Sequence, residues 1–138
     1  MRILGIDYGT KRIGLAVGDT SPFFVEPLRT IESSVDAAQR VADIAKEEDA
    51  ELIVIGIPVA LKGHEQGETS EHVFKFIPEL EKLTDLEIHT EDERMTTALA
   101  DKIHREFGAS KTKKFDRDAV AAAIMLETYV EKVLGAKS

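Results

Sequence analysis

The chain contains no cysteine. That excludes disulfides and thiolate metal sites and fits a reducing compartment. It also lacks a long apolar run: the longest, Ala119 to Leu126, is short and alanine-rich, well under the ~20 residues of a membrane-spanning helix. Its start shows no basic region, apolar stretch and small-residue cleavage site of a secretory leader. The expectation is a cytoplasmic protein with no membrane partner. Its four histidines do not have zinc-ligand spacing. Positive charge is also short, with 18 Lys and Arg against 26 Asp and Glu and a net charge of −8. This weighs against a nucleic-acid partner, because phosphate neutralisation is the main source of such affinity. Net charge is a poor guide to local field, however. Asp36, Asp43, Glu47, Glu48, Asp49 and Glu51 fall in or beside the first expected helix, whereas Lys111 to Arg117 is basic. An acidic back and a mixed front would reconcile the sign.

What is present reads as one domain over residues 1–138, large enough to bury a core without staples. Ile3, Leu4 and Ile6 form a short apolar run that fits a strand buried on both faces. Gly9 and Thr10 suit a tight turn, and Arg12 to Val17 reads as a second strand. Phe23 to Ile31 is a third, with Pro27 suiting an edge position or a bulge. Ser33 or Ser34 is the expected N-cap of a helix whose apolar face carries Val41, Ile44 and Ala45. Leu52 to Ile57 is a buried parallel strand ended by Pro58. Lys62 to Thr69 reads as a loop, a substrate contact or a plain surface connection. Val73, Phe76, Ile77, Leu80 and Leu83 have helical spacing, interrupted by Pro78. Leu86 to Thr90 alternates as a fifth strand, with His89 on the solvent side. Two helices follow, about Thr97 to Phe107, closed by Gly108, and about Arg117 to Leu134. The pattern predicts an α/β fold: a mixed five-stranded sheet, three strands antiparallel and two parallel, with helices on its faces.

Three acids stand at informative places. Asp7 ends the first strand, Glu93 follows the fifth, and Asp118 lies in the first turn of the last helix. If the strand ends share one edge of the sheet, these acids converge. Hard divalent ions suit such a cluster. Two of them roughly 3.5–4 Å apart can clamp the attacking and leaving oxygens of a phosphodiester. Asp7, on the rigid central strand, is the best bridging ligand. By spacing alone Asp92 is as well placed as Glu93, Asp116 suits an N-cap, and Asp118 suits the positive end of its helix. Tyr8 reads as a packing residue, and His64, His72 and His104 as surface residues.

The motifs, taken in order, resemble the YqgF/RuvX family of RNase H-fold nucleases. Gly5 to Gly14 (Gly-Ile-Asp-Tyr-Gly-Thr-Lys-Arg-Ile-Gly) resembles its opening motif. Gly56-Ile57-Pro58 with the Gly63 loop resembles its second. Asp92-Glu93-Arg94-Met95-Thr96-Thr97 is close to its Asp-Glu-Arg-Leu-Thr-Thr, and Asp118-Ala119-Val120-Ala121-Ala122 resembles the last. Departures are Met95 for leucine, a volume-conserving change, Gly18 before Asp19, and Lys62-Gly63-His64. The resemblance implies an RNase H-like fold and a nuclease dependent on Mg²⁺ or Mn²⁺, with a two-metal site. It implies Asp7, Glu93 and Asp118 as catalytic metal ligands and a product with a 5′-phosphate. The substrate it implies is the 5′ end of pre-16S rRNA during ribosome maturation, on structured RNA or precursor particles; the alternative is a Holliday junction in branched DNA. Lys11, Arg12, Arg94, Lys111, Lys113, Lys114 and Arg117 are the expected contacts to nucleic acid. A nucleotide-binding domain and a nucleic-acid-binding module without cleavage are the readings from other classes.

Overall fold

The computed structural model describes residues 1–58, 66–93 and 117–135, except for the side chains of residues 58, 66–71, 92, 93 and 134. At its centre is a sheet in the order β3-β2-β1-β4-β5. The strands are β1 (Arg2–Asp7), β2 (Arg12–Thr20), β3 (Phe23–Glu32), β4 (Leu52–Pro58) and β5 (Glu87–Glu93). β1, β2 and β3 pair antiparallel, whereas β1, β4 and β5 pair parallel. This is the mixed sheet that the sequence pattern predicts. Its consequence is geometric: β1, β4 and β5 point the same way, so their carboxyl ends share one edge.

The unbroken apolar runs are explained by burial on both faces. Leu4, Ile6, Ile13, Leu15, Ile53 and Ile55 face α1 (Ala37–Glu47) and α2 (Gln66–Leu83), where Val41, Val73, Phe76 and Leu80 complete the core. The alternate residues Ile3, Ala16, Leu52 and Val54 face α3 (Arg117–Tyr129) and meet Ala122, Met125 and Leu126. α3 continues into a π-helical turn, Val130–Leu134. Each fully buried Ile or Leu contributes about 1.5–3 kcal/mol, so the sheet is held from both sides. The alanine-rich stretch from Ala119 to Leu126 is buried throughout. Among the described residues, no helix is long and apolar enough to cross a membrane.

α3 lies unusually close to the sheet, because the strand positions beneath it are glycines. A Cβ on Gly14 would stand 1.9 Å from the Asp118 carbonyl oxygen and 2.8 Å from the Ala119 nitrogen. A Cβ on Gly5 would stand 3.0 Å from the Leu126 Cβ. The helix runs obliquely, from Gly14 on β2, past Gly5 on β1, to His89 on β5, whose ring meets Tyr129. On the opposite face, α1 ends beside the start of β1. There the Arg2 Nε donates to the Glu48 carbonyl at 2.9 Å, and the Glu51 backbone N–H donates to the Arg2 carbonyl at 2.7 Å.

Several local expectations are corrected. α1 starts after Asp36, not after Ser33 or Ser34: the Ser34 hydroxyl bonds the Asp36 carboxylate, and the Ala37 N–H donates to the Ser34 carbonyl at 3.0 Å. That serine bond holds the Asp36 carboxyl below its usual range. Gln66 to Thr69, expected as loop, form the first turn of α2. α2 runs through Pro78, which is exposed and so needs no room in the core. Leu83, expected on its apolar face, is 38% exposed. β5 extends to Glu93 because parallel pairing with β4 continues through Pro58. Pro27 sits on the edge strand β3, next to an irregularity in its register with β2, as expected for a residue that cannot complete a ladder. The helix expected at Thr97 to Phe107 lies outside the described residues.

Gly14→Ala should destabilise the protein by about 3 kcal/mol or more, the upper end for overpacking, because the obstacle is α3 backbone. Gly5→Ala, whose Cβ would need only a few tenths of an ångström more from the Leu126 side chain, should cost about 1 kcal/mol. Urea denaturation of the two variants measures the difference; equal losses would contradict the close seat of α3 on Gly14.

Candidate active site at the carboxyl edge of the sheet

Asp7 is the last residue of β1 and is half-buried. Its register partners are Gly14 on β2 and Gly56 on β4, and Gly56 in turn pairs with Glu91 on β5. The four residues form one row across the sheet, with glycine on both sides of Asp7. Neighbouring strands lie about 4.8 Å apart, so Asp7 and Glu91 are about 10 Å apart across a residue without a side chain. Two residues further along β5, Glu93 pairs with Pro58 at the same edge. Asp118 comes from the other direction: its backbone rests on Gly14, the residue opposite Asp7. The sequence-distant acids Asp7, Glu93 and Asp118 are therefore brought to one edge, Glu93 being described by its backbone alone.

The Asp118 carboxylate accepts a hydrogen bond from the Arg12 Nε at 2.8 Å. The Arg12 side chain is 67% exposed and that of Asp118 is 31% exposed. Such a pair contributes at most about 1 kcal/mol, so a cation or a phosphate can compete for either partner. Asp118 also benefits from the positive end of α3. Lys11 and Arg117 are exposed at this edge. Arg94, Lys111, Lys113 and Lys114 lie outside the described residues, as do Asp116, His64 and His104. Asp92 pairs with Ile57 along β5.

The donor set is chemically uniform. The chain has no cysteine. Among the described histidines, His72 is exposed on α2 and His89 is bonded to Tyr129 and Glu87. What remains at the edge is carboxylate oxygen, which fits Mg²⁺ or Mn²⁺. Among the described residues, no group of three His, Asp or Glu is arranged to hold a metal ion; the described part of the expected trio is Asp7 and Asp118.

Sequence reasoning missed a second cluster beside this row. Glu91 is buried and accepts from the Lys132 Nζ at 2.6 Å. His89, expected on the solvent side, keeps a 41% exposed side chain but also has its Nδ1 2.5 Å from the Tyr129 hydroxyl and its Nε2 2.9 Å from Glu87 Oε1. The cause is the oblique path of α3, which carries its last turn over the edge strand. The available signal was the parity of His89, Glu91 and Glu93, which puts all three in step with Asp7. Burial, reinforced by Glu91 and Glu87, pushes the Tyr129 phenol above its ordinary value.

Residues 1–132 match the family described as "RuvX: Holliday junction resolvase". The chain belongs to the RuvX family. RuvX-like relatives named "Putative pre-16S rRNA nuclease" include one from Endomicrobium trichonymphae, 40% identical over 134 residues, covering 94% of this chain and 95% of the relative. Another, from Fusobacterium nucleatum subsp. nucleatum, is 40% identical over 135 residues, with 94% and 96% covered. Among solved structures, RuvC of T. thermophilus in complex with a Holliday junction substrate superposes with a TM-score of 0.59 at 13% identity, covering 96% of this chain and 97% of that one. The Fowlpox virus resolvase, also with junction DNA, gives 0.58 at 12% identity, with 97% and 99% covered. At these identities the likeness is one of fold, and the RuvX chain has the RNase H-like fold of those resolvases.

Because the folded state of this RuvX-family chain holds the Tyr129 proton more tightly than the unfolded state does, the tyrosine's contribution to stability is complete below about pH 10. It is lost as pH rises through the higher folded value. Denaturant midpoints measured from pH 8 to 11 should fall more steeply for the wild type than for Tyr129→Phe; parallel curves would contradict this reading.

Proposed function

We propose that this RuvX-family protein is a metal-dependent nuclease that hydrolyses phosphodiester bonds at the 5′ end of pre-16S rRNA, acting in the cytoplasm as a single RNase H-like domain. Asp7, Glu93 and Asp118 are the proposed catalytic ligands of Mg²⁺ or Mn²⁺, with two ions as the preferred arrangement. The observation that carries this reading is the row through Asp7: its neighbour Gly14 bears Asp118 from α3, and Glu93 ends the parallel strand two places away. The names of the relatives supply the substrate.

The bound metal would supply Lewis-acid polarisation of the phosphoryl group and a lowered pKa for the attacking water. The chain's own residues do the rest. β1, paired on both sides, fixes the Asp7 backbone against movement. The seat on Gly14 fixes Asp118. Arg12 meets Asp118 through Nε, and its terminal N–H groups are proposed to donate to a phosphate oxygen. Lys11 and Arg117 add positive charge where the substrate backbone must pass, with Arg94, Lys111, Lys113 and Lys114 proposed to extend that track.

The family description favours a second reading, resolution of a Holliday junction. Both are tested by incubating the protein in Mn²⁺ with a structured RNA carrying a precursor-like 5′ extension and with a four-way DNA junction. RNA should be cut and the junction should not. Asp7→Asn should lower cleavage by at least about 100-fold, the scale of losing one preorganised electrostatic element, with an unchanged circular dichroism melt. Junction cutting alone would replace the rRNA reading, and wild-type cleavage by Asp7→Asn would remove the site assignment.

A further inference from the structure

Tyr8 follows Asp7, so strand alternation turns its side chain to the opposite face of the sheet. There its ring packs against Phe76 at a centroid distance of 5.0 Å and is buried. The Ser33 hydroxyl donates to the Tyr8 hydroxyl at 3.4 Å. These two hydroxyl groups lie in a cleft of about 270 Å³ that is also lined by Thr10, Val35, His72 and Lys75. The cleft thus opens behind the hairpin that carries Asp7, between the β3–α1 connection and α2. None of its chemistry is used by the carboxylate site on the other face.

We infer that this cleft is a subsite for one unpaired nucleotide of the RNA strand whose backbone is cut at Asp7. The inference rests on the nuclease reading and extends it to how the strand is held. The volume is below the roughly 300–1,000 Å³ of clefts for drug-sized ligands, so it suits a single nucleoside and not a duplex. Its lining matches the parts of a nucleotide. The Tyr8, Ser33 and Thr10 hydroxyls can each donate or accept, which suits base edges and a 2′-hydroxyl. The exposed imidazole of His72 offers a plane for stacking, and Val35, fully exposed, offers an apolar wall. Lys75 supplies a cation for the phosphate. Glu79, the acid of the lining one helical turn beyond Lys75, disfavours a phosphate at that end. Thr10 lies in the turn that follows Asp7, so a strand leaving the carboxylates reaches the cleft by crossing the hairpin. A strand held this way must be unpaired on that side of the cut, which suits a single-stranded extension beside a structured region.

The test is equilibrium binding of a short fluorescein-labelled single-stranded RNA, read by anisotropy without divalent metal, in the Asp7→Asn background so that no cleavage intervenes. A blunt RNA duplex is the comparison. Val35→Ser, His72→Ala and Lys75→Glu alter exposed side chains, and unchanged thermal melts verify their folding. Val35→Ser with His72→Ala should raise the Kd for the single strand by about 5- to 10-fold, the lower end of one lost stacking contact. Lys75→Glu should do at least as much, and duplex binding should change less than 2-fold, within the scatter of a substitution that touches no ligand. Parent-like Kd values for the single strand would overturn the subsite, as would an equal loss on the duplex. If Asp7→Asn still cleaves RNA in Mn²⁺, the assignment of the carboxylate site fails, while the binding series still decides the cleft.

Discussion

The structure depends on one close approach, the first turn of α3 resting on Gly14. No residue with a Cβ can occupy that position while the Asp118 carbonyl lies 1.9 Å from where the Cβ would be. Because Gly14 is also the register partner of Asp7, the same contact sets the spacing between a strand residue and a helix residue 111 positions later in the chain, by subtraction of their numbers. Hydrophobic burial of Ala122, Met125 and Leu126 holds the helix down, but it is non-directional and fixes no single height. Backbone against backbone does. Fold stability and site geometry therefore rest on one contact.

The hairpin after Asp7 divides the two faces of the sheet. Asp7 belongs to the α3 face and Tyr8 to the α1–α2 face, and the turn through Thr10 joins them. The Asp7 carboxylate stands on the first side, and the Tyr8 and Ser33 hydroxyls stand on the second, beside Lys75 and Glu79. Alternation along a strand is usually read as core against solvent; here, at the strand's end, it separates two kinds of polar chemistry within two consecutive residues.

Much of this was legible in the sequence. Apolar runs without alternation marked β1 and β4 as buried on both faces, and the placement of Asp7 and Asp118 at element ends was readable from where those runs and the last helix stop. The parallel order followed from the intervening helix. Other features depended on tertiary geometry. The extension of β5 through Glu91, Asp92 and Glu93 runs against strand propensity and is imposed by pairing with β4. His89 and Glu91 were hidden because the crossing angle of α3 decides what covers an edge strand. Gly5 and Gly14 were read as parts of a motif, when their placement on one face was the sign of a helix lying close. The start of α2 was obscured by Gly67 among polar residues, and the cap of α1 by two serines whose hydroxyls bond Tyr8 and Asp36 instead.

The position of α1 has a further consequence for how a polyanion meets the molecule. Its end brings Glu47, Glu48, Asp49 and Glu51 to the edge where β1 begins; Arg29 pairs with Glu47, Arg2 pairs with Glu48, and the Arg2 backbone N–H donates to the Glu51 carboxylate. Among the described residues, Lys11, Arg12 and Arg117 lie at the far edge, where β1 finishes. Asp7, Glu93 and Asp118 stand at the same far edge, so its cations are interleaved with acids and do not make a uniform positive pole. At physiological salt the Debye length is about 8 Å, so any one of those charges is felt only at close range. For a chain of net charge −8, the local arrangement of charge along the strands therefore matters more to an approaching polyanion than the attraction of the molecule as a whole.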